Sequence, residues 1–256
     1  MNLLNYNIAG NVLYITLNRP EKRNALNPEL VRLLISAFKT AIKDNQIKAI
    51  VLQANGEVFS AGADLAYLQE MQSFSYEENL ADSNALKNLF YTIYTCPKIV
   101  IAQVEGHAIA GGCGLASVCD IVFSVPEAKF GYTEVKIGFI PAIVSCFLVR
   151  KLGEARSKEL LLSGELIDAE TASRYGLINF VVNKEVIRES VKKYAEKIVN
   201  NTSAQSVSLT KSMLNVIHNS SLEDNLENAV ILNAKARSTE NCKKGIAAFL
   251  NRNRES

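Results

Sequence analysis

The chain has 256 residues, of which 48% are hydrophobic and 21% are charged, a composition that is typical of a globular domain and excludes a disordered or fibrous protein. Its 28 lysines and arginines against 26 aspartates and glutamates leave a formal charge of +2. An excess this small predicts neither a nucleic-acid-binding nor a membrane-binding surface, so chemistry on a small molecule is favoured.

Strands and helices alternate along most of the chain. Residues 12–18 alternate in polarity and predict a half-buried strand. Asn27 can cap, and Pro28 can begin, a helix over residues 28–44. The inner face of that helix would carry Leu30, Leu34, Phe38 and Ala41. Further elements are predicted as strands at 47–54, 98–104 and 120–125 and as a helix at 76–94. This alternation predicts an α/β core with crossover connections.

The character of the chain changes after about residue 184, where helical periodicity continues without a convincing strand. The predicted helices cover residues 185–200, 204–217, 222–239 and 242–251. We therefore divide the chain into a core of residues 1–195 and a helical segment of residues 196–256.

The start of the chain has no basic region followed by an apolar one, and no apolar run approaches ~18 residues. We therefore expect a cytoplasmic protein without a membrane segment. The five cysteines include no Cys-x-x-Cys pair and lie mostly in apolar surroundings, which predicts buried free thiols in a reducing compartment. No metal site is expected, because the chain has two histidines and the spacing of His107, Cys113 and Cys119 fits no familiar zinc arrangement.

Two loops between a strand and a helix are rich in small residues, namely "FSAGADL" (59–65) and "AIAGGCGLASVC" (108–119). Backbone N–H groups at a helix start lack helical partners and can stabilise a developing negative charge. The same glycines could instead permit tight packing or a sharp turn. Neither loop matches a nucleotide-binding fingerprint, and no G-x-S-x-G motif suggests a serine nucleophile.

Several motifs together resemble the enoyl-CoA hydratase/isomerase (crotonase) family. "SAGADL", "EGHAIAGGCGLASVCDI" and "AKFGYTEVKIGFIPA" follow one another in the family's order, with "LNRPEKRNALN" before them and "LLLSGELIDAETASRYGLIN" after. The resemblance implies a ββα spiral core that holds an acyl-CoA site and a C-terminal helical segment that builds a homotrimer or homohexamer. It also implies an acyl-CoA thioester as substrate and no separate cofactor, since coenzyme A is part of the substrate.

The family holds the thioester oxygen between two backbone N–H groups, which by position are those of Ala63 and Gly111. Family hydratases commonly use two glutamates. The second corresponds to Glu134, and the first corresponds to Gly114. One carboxylate can still hold water, take its proton and return that proton to the substrate, or carry a proton between two carbons. Asp120, the other carboxylate nearby in the sequence, is predicted to be structural.

The missing side chain at Gly114 would enlarge the pocket and suit a branched or charged acyl group. The resemblance further implies that coenzyme A contacts the "RPEKRNAL" loop and the groove beside it. The substrate-binding set that it predicts comprises Lys22, Arg23, Ala25, Leu26, Ala61, Asp64, Leu65, Gly112, Gly114 and Phe249. Arg252 belongs to the same terminal helix as Phe249, which reaches coenzyme A in relatives.

Three functions stay open on the sequence. The first is an enoyl-CoA hydratase that adds water across the 2,3 double bond, with a branched substrate such as 3-methylglutaconyl-CoA, which "CGLASVCDI" and "FGYTEVKIGFIPAIVS" favour. The second is a Δ3-Δ2 enoyl-CoA isomerase, and the third is a non-catalytic acyl-CoA-binding relative. Retention of Glu134 with both loops argues against the third.

Overall fold

The computed structural model describes residues 2–252, apart from the side chains of residues 248, 249, 251 and 252. Its strands are β1 (Leu4–Ala9), β2 (Val12–Leu17), β3 (Ala49–Ala54), β4 (Val58–Ser60), β5 (Ile99–Val104), β6 (His107–Ile109), β7 (Ile121–Ser124), β8 (Lys129–Gly131), β9 (Ile167–Asp168) and β10 (Phe180–Val181). Its helices are α1 (Pro28–Lys43), α2 (Leu65–Met71), α3 (Tyr76–Tyr94), α4 (Gly111–Ser117), α5 (Ala142–Ser163), α6 (Ala169–Tyr175), α7 (Ile187–Asn201), α8 (Ala204–Val216), α9 (Leu222–Ser238) and α10 (Glu240–Arg252).

The strands form two sheets that the chain visits in turn. The larger sheet has the order β1-β2-β3-β5-β7-β10, and the smaller has the order β4-β6-β8-β9. Strands β3, β5 and β7 of the larger sheet are each followed by a short strand of the smaller one, β4, β6 and β8. This repeated β-β unit is the predicted spiral core, and it brings the loops after β4 and β6 to the same edge.

Helix α1 forms as the sequence predicts. The Asn27 side chain accepts a hydrogen bond from the Leu30 N–H at 2.9 Å, and Pro28 occupies the first helical position. The predicted inner face of α1 is buried, which confirms its orientation against the core. The predicted helix at 76–94 is also confirmed and carries a capping box at Ser75 and Glu78.

The prediction that β2 is half-buried is wrong. Val12 and Thr16, which point away from Leu13 and Ile15, are buried like them, and Tyr14 is partly buried. Helix α7 packs against β2 and against β3, β5 and β7. The sheet therefore has protein on both faces, which is usual when its strands are mainly parallel.

The four helices predicted at the end of the chain are present as α7–α10. Residue 195, where we placed the domain boundary, lies inside α7, which buries Ile187, Val191, Ala195 and Val199. In contrast, no side chain of α8 or α9 is fully buried. The change from core helix to peripheral helix therefore comes between α7 and α8.

Helix α8 is attached to the core by a partly buried ion pair. Lys211 forms a salt bridge with Asp120 and donates to the Lys98 carbonyl at 2.9 Å. Asp120 also accepts a hydrogen bond from the Val100 N–H at 2.7 Å. These contacts confirm that Asp120 has a structural role. Within the described part of the chain, no helix combines the length and the hydropathy that crossing a bilayer requires.

Candidate active site

Two loops leave the smaller sheet side by side. Strands β4 and β6 are parallel neighbours, with Ser60 opposite Ala108. The carboxyl ends of parallel strands lie at the same edge of a sheet, so the chain after Ser60 and the chain after Ile109 emerge together. The first continues into α2 and the second into α4.

The N–H of Ala63 is left free by a β-bridge to Leu26. The Leu26 N–H donates to the Gly62 carbonyl at 2.6 Å, and the Asp64 N–H donates to the Leu26 carbonyl at 2.9 Å. In a parallel bridge the central residue directs its own N–H to the opposite side. Ala63 lines a cavity on that side. Its N–H has no hydrogen-bond acceptor among the described residues.

The second free N–H belongs to Gly111, the first residue of α4. The preceding residue, Ala110, has φ 51° and ψ −125°, a conformation that non-glycine residues seldom adopt. Ala110 is held there because its N–H donates to the Gly131 carbonyl at 2.8 Å and its carbonyl accepts from the Gly114 N–H at 3.0 Å. Such local strain is found where surrounding structure determines a functional geometry. Here it turns the chain so that Gly111 begins α4 at the cavity wall.

Glycines at two other positions let the loops approach each other. A Cβ at Gly112 would lie 2.3 Å from the Ser60 carbonyl oxygen, and a Cβ at Gly62 would lie 2.8 Å from the Ala110 Cβ. Gly112 is buried against β4 and is not part of the cavity wall. It therefore acts through close packing, and the prediction that it contacts substrate is not supported by its position.

The prediction that Gly114 enlarges the pocket is wrong. Gly114 is buried within α4 and lies outside the cavity wall. A Cβ there would lie 2.4 Å from Val144 Cγ1 and 3.1 Å from Phe90 Cζ. The space that a side chain would need is filled by the first turn of α5, and Val144 itself lines the cavity.

Glu134 begins a short 3-10 helix after β8 and lines the same cavity as Ala63 and Gly111. Its Oε2 is buried and has no hydrogen-bond partner among the described residues. Burial raises the pKa of the Glu134 carboxyl above its ordinary value, although a hydrogen bond from its own backbone N–H acts in the opposite direction. A buried carboxylate oxygen without a partner is suited to holding a water molecule or a substrate proton.

The cavity has a volume of about 680 Å³. One wall comes from α1, a second from α2 and α3, and a third from the segment between Glu134 and Val144. Most of the lining side chains are apolar, and they include Val31, Ile35, Leu68, Met71 and Ile140. Charged side chains among the described lining residues are Arg32, Asp82 and Glu134. The cavity can therefore enclose an apolar chain whose polar end meets the two N–H groups.

The residues predicted to bind coenzyme A occupy different environments. Leu26, Ala61 and Leu65 line the cavity, and Leu65 is 83% exposed at its mouth. Lys22 and Arg23 are exposed on the loop before Leu26, whereas Ala25 is buried beneath that loop. The Asn24 side chain fixes the loop by donating to the Asn55 and Val58 carbonyls at 2.8 Å each.

Asp64, which belongs to the predicted substrate-binding set, lies outside the cavity wall and caps helix α2. It is buried, pairs with Arg19 and accepts the N–H groups of Ala66 and Tyr67 at the start of α2. Burial alone would raise the pKa of the Asp64 carboxyl, but the hydrogen bond from Arg19 and those from the two N–H groups bring it below its ordinary value. The side chains of Phe249 and Arg252 lie outside the described residues.

Two backbone donors that converge on an apolar cavity, with a buried carboxylate in its wall, define an enzyme site of the oxyanion-hole type. The donors can stabilise an enolate-like oxygen while the carboxylate moves a proton beside it. The spiral of β-β units around this site is the fold that the sequence motifs predict.

The chain belongs to the enoyl-CoA hydratase/isomerase family, whose model matches residues 7–256. A Thermus thermophilus protein, provisionally named an enoyl-CoA hydratase, is 43% identical over 240 residues, which cover 94% of each chain. The 2,3-dehydroadipyl-CoA hydratase of Escherichia coli K12 is 32% identical over 240 residues, which cover 93% of this chain and 92% of that one. A solved structure from Legionella pneumophila, provisionally described as an enoyl-CoA hydratase/isomerase (crotonase), has a TM-score of 0.90 at 38% identity and covers 98% of this chain and 96% of that one. The predicted family, fold and enzyme class are thereby confirmed, and membership implies an acyl-CoA substrate.

Proposed function

We propose that this enzyme hydrates the 2,3 double bond of an enoyl-CoA thioester with an oxyanion hole and a single glutamate. The observation that carries the proposal is the shared cavity of Ala63, Gly111 and Glu134, in which the two N–H groups and Oε2 have no partner among the described residues. Asp82, the other carboxylate in the described lining, accepts a hydrogen bond from the Tyr67 hydroxyl at 2.7 Å. Glu134 is therefore the carboxylate that is available for chemistry.

In the proposed reaction the Ala63 and Gly111 N–H groups bind the thioester oxygen, which draws electrons from the double bond. Glu134 accepts a proton from water as the water oxygen bonds to Cβ, and negative charge collects on the thioester oxygen. The protonated Glu134 then returns that proton to Cα. The hydroxyl of the water ends on Cβ and its proton on Cα, so every atom of the water is accounted for. The proposed reaction therefore has no step that calls for a metal or a further cofactor.

A branched, carboxylate-bearing substrate such as 3-methylglutaconyl-CoA remains our candidate. It no longer has the support of an empty space at Gly114. Its support is the motif likeness, the cavity of about 680 Å³ and the 32% identical relative whose name specifies a substrate with a second carboxylate. We also propose a cytoplasmic location, since the five cysteines are free thiols, which is usual in a reducing compartment.

A homotrimer or homohexamer is proposed from the helices at the end of the chain. Helix α9 exposes Leu222, Leu226, Val230 and Ile231, with Val230 69% exposed. Contiguous apolar side chains on a helix that buries none of them against its own chain are typical of a subunit interface.

The test is the decay of the conjugated enoyl-thioester absorbance when purified protein meets crotonyl-CoA and 3-methylglutaconyl-CoA. Glu134→Gln should lower kcat by ~10²–10⁴-fold, the usual contribution of a general base, and change acyl-CoA affinity little. Glu127→Gln, the same change at an exposed turn between β7 and β8, is the matched control and should behave as wild type. Substantial hydration by Glu134→Gln would contradict the single-glutamate mechanism. Appearance of absorbance from a 3-enoyl-CoA without hydration would identify the isomerase instead, and binding without turnover would identify the non-catalytic relative.

A further inference from the structure

The main cavity, which contains Glu134, adjoins a second cavity along α1 that is lined by basic side chains. Arg32 and Ile35 line the main cavity and also a second, more open cavity of about 450 Å³. The second cavity is lined further by Lys39, Thr40 and Lys43. A chain that enters the main cavity from the thioester end therefore meets Arg32 where the two spaces join.

Arg32 is the single cation among the described residues that line the main cavity. It forms no salt bridge within the described part of the chain. Asp82, which lines the same cavity, is engaged by the Tyr67 hydroxyl. Arg32 is exposed, its neighbours Val31 and Ile35 in the lining are apolar, and no carboxylate within the described part of the chain pairs with it.

We infer that Arg32 binds a carboxylate at the far end of the acyl chain, so that the preferred substrates are short dicarboxylic enoyl-CoA thioesters. The inference rests on the proposed hydratase function and specifies its substrate class. A guanidinium presents a planar pair of N–H donors that matches the two oxygens of a carboxylate. A terminal methyl group makes no equivalent contact and would leave Arg32 with water alone.

The position of Arg32 on α1 sets the length of chain that it can reach. Leu26 is bridged to Ala63, and α1 begins at Pro28. Arg32 is four residues further along, about 6 Å in axial rise. Because Arg32 also lines the second cavity, an acyl chain long enough to pass Arg32 would leave the main cavity there.

The experiment compares two substrates that differ at one end. Hex-2-enoyl-CoA ends in a methyl group, and hex-2-enedioyl-CoA has a carboxylate at that carbon. The measured quantity is the ratio of kcat/KM for the diacid to kcat/KM for the monoacid. Arg32→Met keeps an apolar stem without the charge, and Arg32→Lys keeps a charge without the planar donor pair. Lys39→Met, on the second cavity, is the matched control for loss of a cation from α1.

Wild type should prefer the diacid, and Arg32→Met should lower the ratio by ~10–100-fold, as expected for loss of a charge-assisted hydrogen bond. The loss should appear mainly in KM for the diacid. Arg32→Lys should recover part of it, and Lys39→Met should leave the ratio unchanged. If Arg32→Met is poorly folded by circular dichroism, Arg32→Gln replaces it in the comparison.

An unchanged kcat/KM ratio in folded Arg32 variants, or an equal drop of that ratio in Lys39→Met, would overturn the inference. The proposed function would still stand in that case, provided that wild type hydrates either substrate. Failure of the proposed function is a different result, in which wild type hydrates neither thioester. The two failures are therefore distinguished by the wild-type rates alone.

Discussion

Replacing Gly114 with alanine should destabilise the protein by overpacking. The new Cβ would lie 2.4 Å from Val144 Cγ1 and 3.1 Å from Phe90 Cζ, whereas carbon atoms pack best at ~3.5–4.0 Å. Val144 is β-branched, so its χ1 has little freedom to move away. Overpacking of a core costs about 1–3 kcal/mol, and for a chain of this size the melting temperature should fall by roughly 2–12 °C.

A double-mutant cycle can assign that cost to the contact with Val144. Val144→Ala removes the atom that the new Cβ would strike, so Gly114→Ala should be less damaging in the Val144→Ala background. Residues in contact couple by about 0.5–3 kcal/mol. The assay is urea unfolding followed by circular dichroism, at one protein concentration because assembly would make stability depend on it.

Gly245→Ala is the control for the glycine-to-alanine change itself. Gly245 lies in α10, and a Cβ added there would have no atom within 4 Å, so alanine should be neutral or should stabilise the helix by up to about 1 kcal/mol. If Gly114→Ala is as stable as wild type, or if its cost simply adds to that of Val144→Ala, then Val144 does not occupy the space beside Gly114. The reasoning that rejects a pocket at Gly114 would then be refuted.

Three further predictions concern the site and the assembly. Burial raises the pKa of Glu134, and a general base acts as the carboxylate. As the pH is lowered, kcat/KM should therefore begin to fall while the pH is still above the ordinary glutamate pKa of 4.5. A kcat/KM that stays constant through that pH range would contradict this prediction. Gly111→Pro should lower kcat by ~10²–10³-fold, because proline deletes the N–H while the first position of a helix tolerates its ring; a folded variant with near-normal kcat would exclude Gly111 as a donor. Light scattering should show a trimer or hexamer, since α9 exposes an apolar face, and a stable monomer at micromolar concentration would oppose the proposed interface.

The long elements of the fold could be predicted because their signals are local. The cap at Asn27 and the apolar spacing from Leu30 to Ala41 are both readable within a few residues, and the helix that they predict is present. Strands β4, β6 and β8 were not predicted, because three residues are too few to show a period of two. These short strands nevertheless position the site.

The three glycines of "GGCG" show why the site could be predicted only in part. The sequence indicates that bare backbone is needed between Gly111 and Gly114, but not which neighbour requires it. Gly112 is required by Ser60 on another strand, and Gly114 by Val144, thirty residues further along the chain. Contacts between distant residues carry no periodic signal, which is also why Arg32 was missed as a cavity residue and why the burial of both faces of β2 was not expected.

The bridge between Leu26 and Ala63 shows that the backbone positions the oxyanion donors, whereas side chains line the cavity. Ala63 is held to Leu26 by backbone hydrogen bonds, and Gly111 is placed by β6 and the turn at Ala110. The cavity that we propose for the acyl chain is instead lined by side chains of α1, α2, α3 and the start of α5. Side-chain exchange along these helices can therefore change which thioester is accepted while the two backbone donors stay in place. The scaffold is for this reason a favourable starting point for redesigning selectivity, with libraries confined to the helices.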